Sequence, residues 1–347
     1  MAEGDAAGLG NICLLPELRG VGGPSSFQHK FMAALTQRGV EAHHNPRDPR
    51  VQALLVIAGT RRLGELWRAK RRGVRIVQRL DGMNWIHRRR RTGMRHYLRS
   101  EYGNLLLAYI RRFIADHVIY QSEFTRGWWL RVYGETGRTD EIILNGVDLS
   151  AYTPDGPHQR PEDRVRVQVV EGHLKDGHDL ALDFAAFFAE ALQGELGKPV
   201  ELCVAGDVPE AVQARARGAH PALWLTFQGV VPRAQIPELD RSAHLLYSAE
   251  INPPCPNSVI EALACGLPAA GFATGSLTEL IQGDAGRLAP YGGDPWRLER
   301  PDFQALARAA AEIAAGGERF RRAARERAEQ AFDLGVMTER YLRALAG

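Results

Sequence analysis

Residues 253–271 read PPCPNSVIEALACGLPAAG, and this stretch decides how the rest of the chain is read. Its prolines hold the backbone extended, because each fixes φ and removes a donor. A short apolar run follows. Ser258 and Glu261 stand three apart in the S-x-x-E pattern of a capping box, which predicts a helix with Ser258 at the N-cap and Glu261 at N3. Gly266 supplies the stop and Pro268 blocks continuation. The run LLYS at 245–248 predicts a strand just before the loop. A helix that follows a strand in an open α/β sheet starts at the ligand-binding edge, with free N–H groups pointing there. Glu261 therefore has two readings, a helix cap or a ligand contact.

The same strand-then-helix grammar runs outward in both directions. Upstream, NICLLP, VEAHH, ALLVIA, VRIVQRL, HVIYQS and EIILN read as strands, with helical patterns over 25–38, 61–72, 102–115 and 123–133. The segment NGVDLSAYTPDGPHQRPEDR is rich in Pro, Gly and Asp and lacks periodicity, so it reads as a linker. The alternation then restarts with VRVQVV, VELCVAG, LWLTFQG and AHLLYS and continues to AGRLAP. This βα order predicts an α/β fold of two doubly wound, parallel-sheet domains. The expected boundaries are a first domain over 1–148, a linker over 149–164 and a second domain over 165–317. The helical segment 318–347 is expected to pack back toward the first domain.

The composition bounds the function. No apolar run is long enough to span a bilayer, and MAEGDAAGLG has neither the basic start nor the apolar core of a secretory signal. A cytoplasmic protein is expected. Cys13, Cys203, Cys255 and Cys265 form no CxxC pair and read as buried hydrophobes. The net charge of +3 hides an asymmetry: residues 1–150 hold 24 Lys+Arg against 14 Asp+Glu, and the remainder 20 against 27. Clusters such as Arg88–Arg91 either attract phosphates, acidic sugars or anionic lipid, or are solvated surface. No nucleic-acid module accompanies them, so nucleic acid is not expected as a partner.

Two glycine-bearing turns after strands carry further candidates. In LRGVGGPSSF, Gly20, Gly22 and Gly23 free the backbone, Pro24 suits a first helical turn, and Ser25 or Ser26 suits a cap. Such a turn brings amides to an anion. In VVEGHLKDGHDL, Gly172 bends the chain and sets His173 and Lys175 near the ligand edge; Lys175 pairs with a phosphate or is a solvated loop lysine. FTRGWWLRVYG places Trp128, Trp129 and Tyr133 on a helix beside arginines, as core filling, sugar stacking or a membrane anchor. The segment HRRRRTGMRHYLRSEYG reads as a loop that admits an acceptor.

Taken together, NSVIEALACGLPAAGF and the following GSLTELI resemble the signature of the family 4 glycosyltransferases, also called glycosyl transferases group 1. GVGGPSSF, VIYQSEFTRG, ILNGVDLSAYTP, LCVAGD and LTFQGVV resemble that family's other landmarks in order, so the likeness covers nearly the whole chain. The resemblance implies a GT-B fold, two Rossmann-like domains facing a cleft. It also implies a retaining, metal-independent transfer from a nucleoside diphosphate sugar, with no further cofactor. Glu261 matches the acid that holds the nucleotide ribose. Asn257, Ser258 and Val259 match the turn whose amides meet the diphosphate, with Gly22 and Gly23 approaching from the other domain. Val230 and Val231 match the base-proximal positions, and His173 and Lys175 the phosphate-neutralising region. Glu279 matches a later acid that anchors a loop or helix end.

The chain departs from the family pattern at two places. Pro253 stands eight residues before Glu261, where the family often has a sugar-holding Glu; Asn252 or Glu250 would substitute if the loop bulges. After VRIVQRL many members have a His near the sugar, whereas this chain has LDGMNWIH. Asp81 and His87 are the catalytic candidates there, Asp81 with an equal reading as an Asp-Gly turn. The expected acceptor is a sugar, a lipid-linked molecule or a small molecule, with peripheral contact to the inner membrane through the basic domain. The alternative is a catalytically impaired homologue that binds a nucleotide sugar or a partner protein, motivated by Pro253.

Overall fold

A computed structural model of the chain describes residues 8–20, 22–174 and 179–347. The chain divides into two compact units, 1–146 with 334–347, and 147–333.

The first unit contains β1 (Asn11–Leu15), α1 (Gly23–Gln37), β2 (Glu41–His43), β3 (Ala53–Ile57), α2 (Leu63–Arg71), β4 (Arg75–Leu80), α3 (Met94–Tyr109), β5 (His117–Tyr120), α4 (Glu123–Tyr133) and β6 (Thr139–Ile142). Its six strands are all parallel, in the order β2-β1-β3-β4-β5-β6. β1 and β3 are apolar and fully buried along their whole length, as strands covered on both faces must be. The segment read as an acceptor-admitting loop is instead helical from Met94 onward. Trp128 and Trp129 are buried, so core filling is the role the packing shows.

The second unit contains β7 (Val165–His173), α5 (Asp179–Leu196), β8 (Val200–Asp207), α6 (Glu210–Ala219), β9 (Trp224–Gly229), α7 (Ile236–Arg241), β10 (Leu245–Tyr247), α8 (Asn257–Ala264), β11 (Ala269–Phe272), α9 (Leu277–Leu280), β12 (Gly286–Ala289), α10 (Phe303–Gly316) and α11 (Glu318–Ala331). Its sheet is again all parallel, in the order β12-β11-β10-β7-β8-β9. Val167 and Val169 of β7 pack with Phe188 of α5 and Leu306 of α10 in one core.

Residues 149–164 are not a free tether. The Arg241 guanidinium donates to the carbonyls of Thr153 (3.0 Å) and Pro157 (3.1 Å), and Arg325 donates to those of Leu149 and Tyr152. These bonds sew the segment onto the second unit. The C-terminal stretch is two helices rather than one. α11 belongs to the second unit, while α12 (Leu334–Ala346) belongs to the first, where Tyr341 packs on Phe27 and Phe31 with ring centroids 5.2 Å away in each case. All four cysteines are buried, and none takes part in a disulfide.

Candidate functional site

In a doubly wound sheet, ligands bind outside the carboxyl ends of the strands where the strand order reverses. In the second unit that point lies between β7 and β10, which are neighbours although five elements separate them in sequence. The chain leaves β10 at Tyr247 and runs through 248–256 before α8 begins. Asn252 takes φ 54° in this loop, a left-handed conformation that asparagine tolerates better than most residues. Asn252 is 3% exposed, and its Nδ2 has no hydrogen-bond partner among the described residues. Pro253 is clamped from behind: its carbonyl accepts from the Ser276 amide at 2.8 Å, and a Cβ at Gly275 (φ +58°) would lie 2.4 Å from its nitrogen.

The capping box is not formed. The N-cap of α8 is Pro256, extended at φ −69° and ψ 122°, and no side chain caps the helix. The extended proline lets the helix start two residues earlier than the sequence pattern implied, so Ser258 is the second helical residue and Glu261 the fifth. Glu261 sits in the second turn, 8% exposed. The amides of Asn257, Ser258 and Val259 form the first turn, where helical N–H groups have no acceptor inside the helix. Gly266 (φ +67°) ends the helix as expected, with its amide on the Leu263 carbonyl at 3.0 Å.

Acidic groups crowd this region. Asp240 of α7 is 1% exposed, and neither carboxyl oxygen has a hydrogen-bond partner among the described residues. Burial, with the Glu261 carboxylate adding to it, raises the Asp240 pKa well above the ordinary value. At the end of β7, half-buried Glu171 is pushed up to about 8 by burial and then by Glu250. The strand is irregular there: its register against β8 shifts between Val170 and His173, and a Cβ at Gly206 would lie 2.2 Å from the Glu171 carbonyl. His173 closes β7, and Lys175 lies outside the described residues. Glu279 lies in α9, with its carbonyl accepting from Arg327 at 2.7 Å.

Val230 and Val231 follow β9 and line a cavity of ≈ 420 Å³ with Gln168, Cys203, Gln228 and Gln235. Gln168 is fully buried and its Oε1 has no partner among the described residues. Gln228 Nε2 donates to the Cys203 sulfur at 3.7 Å. The one arginine of the lining, Arg166, is held by Glu201 at 3.0 Å. The pocket suits a neutral ligand with hydrogen-bonding edges better than an anion.

In the first unit the order reverses at β1, between β2 and β3. Gly22 caps α1, Gly23 opens it and Pro24 occupies its first turn. Neither serine is the cap: Ser25 Oγ donates back to the Gly20 carbonyl at 2.9 Å, and the Ser26 amide to that of Gly22 at 3.0 Å. A Cβ on Gly22 would meet nothing within 4 Å, so packing does not demand glycine there. Asp81 follows β4, its carbonyl accepting from Trp129 Nε1 at 2.8 Å, and burial raises its pKa against the opposing charge of Arg79. His87 is buried with Nε2 2.8 Å from Glu101. Arg88 grips the same carboxylate at 2.5 and 2.7 Å and holds it down to about 2. That triad fastens the loop to α3 and occupies the His87 nitrogen.

Comparison with known proteins bears on these two units. Residues 174–315, within the second unit, match the sequence profile of the family described as Glycosyl transferases group 1. Among solved structures, Anabaena HepE in complex with UDP and glucose superposes with a TM-score of 0.69 at 15% identity, covering 97% of this chain and 99% of that one. The fold is GT-B. Curated relatives match the GT-B chain over shorter stretches. A 2-deoxystreptamine N-acetyl-D-glucosaminyltransferase of Streptomyces fradiae is 29% identical over 40% of this chain and 32% of its own length. A GDP-mannose-dependent α-(1-6)-phosphatidylinositol dimannoside mannosyltransferase of Mycobacterium tuberculosis is 30% identical over 59% of this chain and 52% of its own. The match thus spans about half or less of these relatives.

Sequence reading passed over Glu171, Asp240, Gln168 and Gln228. Glu171 carried a signal, an acid at the carboxyl end of an otherwise apolar strand. Asp240 and the glutamines carried none, since their burial depends on which helix face and which sheet face the packing covers.

Proposed function

We propose that this GT-B chain is a glycosyltransferase that moves a sugar from a nucleoside diphosphate sugar to an acceptor hydroxyl, with retention and without a metal. One observation carries the proposal: Glu261 is buried in the second turn of α8, at the ligand edge of the unit that matches the glycosyl transferase profile. In this reading Glu261 accepts from the ribose hydroxyls. The first-turn amides of α8 (Asn257, Ser258, Val259) meet the diphosphate, and the helix dipole favours the charge that builds on it as the glycosidic bond breaks. Preorganised amides of this kind supply the stabilisation that a cation gives elsewhere. The base takes the cavity beside Val230 and Val231, where Gln168 Oε1 and Gln228 Nε2 offer one acceptor and one donor. The unpartnered Asn252 amide takes the place of the acid missing at Pro253 and holds a sugar hydroxyl. Gly22 and Gly23 of the first unit and His173 and Lys175 of the second are the further phosphate-binding candidates. Asp81 is the acceptor-side candidate, while His87 acts through the loop it anchors. No cofactor beyond the nucleotide sugar is required.

The relatives use GDP-mannose in one case, and the solved neighbour holds UDP and glucose, so the base is the first thing to determine. A thermal-shift screen against UDP-, GDP-, ADP- and dTDP-sugars, followed by donor hydrolysis with the one that binds, tests the proposal, since a ligand that binds only the folded state raises the melting temperature. A clear shift with one base class is expected. No shift with any donor removes the proposal.

A further inference from the structure

Helix α3 buries two polar residues, Ser100 and Asn104, and Asn104 exchanges hydrogen bonds with the Asn84 backbone at 3.0 and 2.8 Å, while Leu106 packs against the core of the first unit. Its outward face is apolar. Met94 is 73% exposed, Leu98 61% and Leu105 61%, and Tyr97, Tyr102 and Tyr109 are exposed as well. The steps 94, 98, 102, 105 and 109 are the threes and fours that put side chains on one helical stripe. Phe113, 51% exposed, continues it beyond the helix end. At 1.5 Å per residue the stripe runs for about 24 Å. An apolar stripe of that length on a water-facing helix marks an interaction surface.

The charges around the stripe identify what covers it. Residues 88–114 contain eight arginines and one acid, Glu101. That acid is already neutralised by Arg88. Arg91, Arg95 and Arg99 are exposed on the same segment, and the Arg61 guanidinium lies over the Tyr102 ring at 5.6 Å. A second copy of this chain would bring the same arginines against these in a two-fold contact, where like charges repel. An anionic bilayer satisfies both features: leucine and methionine enter the acyl boundary, tyrosines sit at the headgroup level, and arginines meet lipid phosphates. No helix among the described residues is long and apolar enough to cross a membrane, so α3 lies in the plane of the interface.

We propose that the exposed face of α3 docks the chain on an anionic lipid surface. This inference does not depend on the catalytic proposal, because it is read without substrate. Vesicle flotation with the full chain tests it, using phosphatidylcholine alone and an equimolar mixture with phosphatidylglycerol. Flotation with the mixed vesicles only, falling as salt rises, is expected. The double substitution Leu98→Ser and Leu105→Ser should weaken it at least about tenfold. The melting temperature should stay unchanged, since both side chains face water in the free protein. Should that variant fold poorly, Arg95→Gln with Arg99→Gln should still weaken binding to the mixed vesicles. Absence of flotation, flotation undiminished by either pair, or a dimer in light scattering that Leu98→Ser with Leu105→Ser splits would overturn the proposal.

Discussion

Replacing Glu261 by glutamine separates the ligand role from the structural one. The side chain keeps its size and one acceptor but loses its charge. A hydrogen bond to a charged group is worth about 1.5–3 kcal/mol, and 1.4 kcal/mol is tenfold in affinity. Losing the charge from one ribose contact therefore weakens nucleoside diphosphate binding about 10- to 100-fold. Glu261 is not the N-cap of α8, because that position is Pro256, which carries no side-chain cap hydrogen bond. Its charge is also among the causes that raise the Asp240 pKa. Unfolding free energy should stay within about 0.5 kcal/mol of the parent or rise slightly. Isothermal titration with the preferred nucleoside diphosphate and urea denaturation read the two quantities independently. Unchanged affinity with a stability loss of about 1 kcal/mol, the usual cost of a lost cap, would refute the ribose assignment and restore the capping box.

Three further outcomes follow from particular residues. Gly22→Ala should fold as well as the parent, since its φ of −74° suits alanine and the added Cβ meets nothing, yet weaken donor binding if a diphosphate approaches that backbone; an unchanged donor affinity removes Gly22 from the site. Gly275→Ala forces a Cβ to 2.4 Å from the Pro253 nitrogen at positive φ, and should cost roughly 1–3 kcal/mol or more in chemical denaturation, with donor affinity falling too as the loop is displaced. Glu171 is pushed from 4.5 up to about 8, so the folded state binds more protons than the unfolded state between those values. Its contribution is full below about pH 4.5 and is lost as pH rises toward about 8. Asp240, also raised, acts in the same direction. His244, lowered from 6.5 to about 4 mainly by burial, acts oppositely, losing stability as pH falls through that window. In Glu171→Gln the decline of melting temperature between pH 4.5 and 8 should flatten; an identical pH profile counts against the buried-acid assignment.

The architecture was readable because parallel sheets leave a loud pattern. Both faces of β1, β3 and β8 are buried, so their sequences are near-continuous apolar runs, and the helices between them need only keep one apolar side. Local starts were less legible. At 258–261 the S-x-x-E spacing is a true capping pattern, yet an extended proline at 256 and the clamp on Pro253 move the helix start upstream. The same happened at α1, where Gly22 rather than a serine is the cap. Tertiary constraint on the preceding loop outweighs about 1 kcal/mol of local capping preference. Reading 149–164 as a linker from its Pro and Gly content also missed its partners, because Arg241 and Arg325 bond to its carbonyls and leave no trace in its own composition.

The proline loop now has a physical account. In the resembled family an acid stands eight residues before the ribose-binding Glu; here Pro253 stands there, and a proline has no side-chain donor or acceptor to replace it. What it has is a carbonyl, and that is committed to Ser276. With Gly275 close behind it, the loop cannot relax in that direction. The residue before Pro253, Asn252, sits in the left-handed region at φ 54°, buried with an open amide donor beside the switch point between β7 and β10. A buried amide without a partner costs on the order of 1–3 kcal/mol, a cost that persists when something else gains by it. A sugar hydroxyl at the ligand edge is the group that would satisfy it. The neutral amide would then discriminate among sugars differently from a carboxylate, since it donates as well as accepts, whereas a carboxylate only accepts.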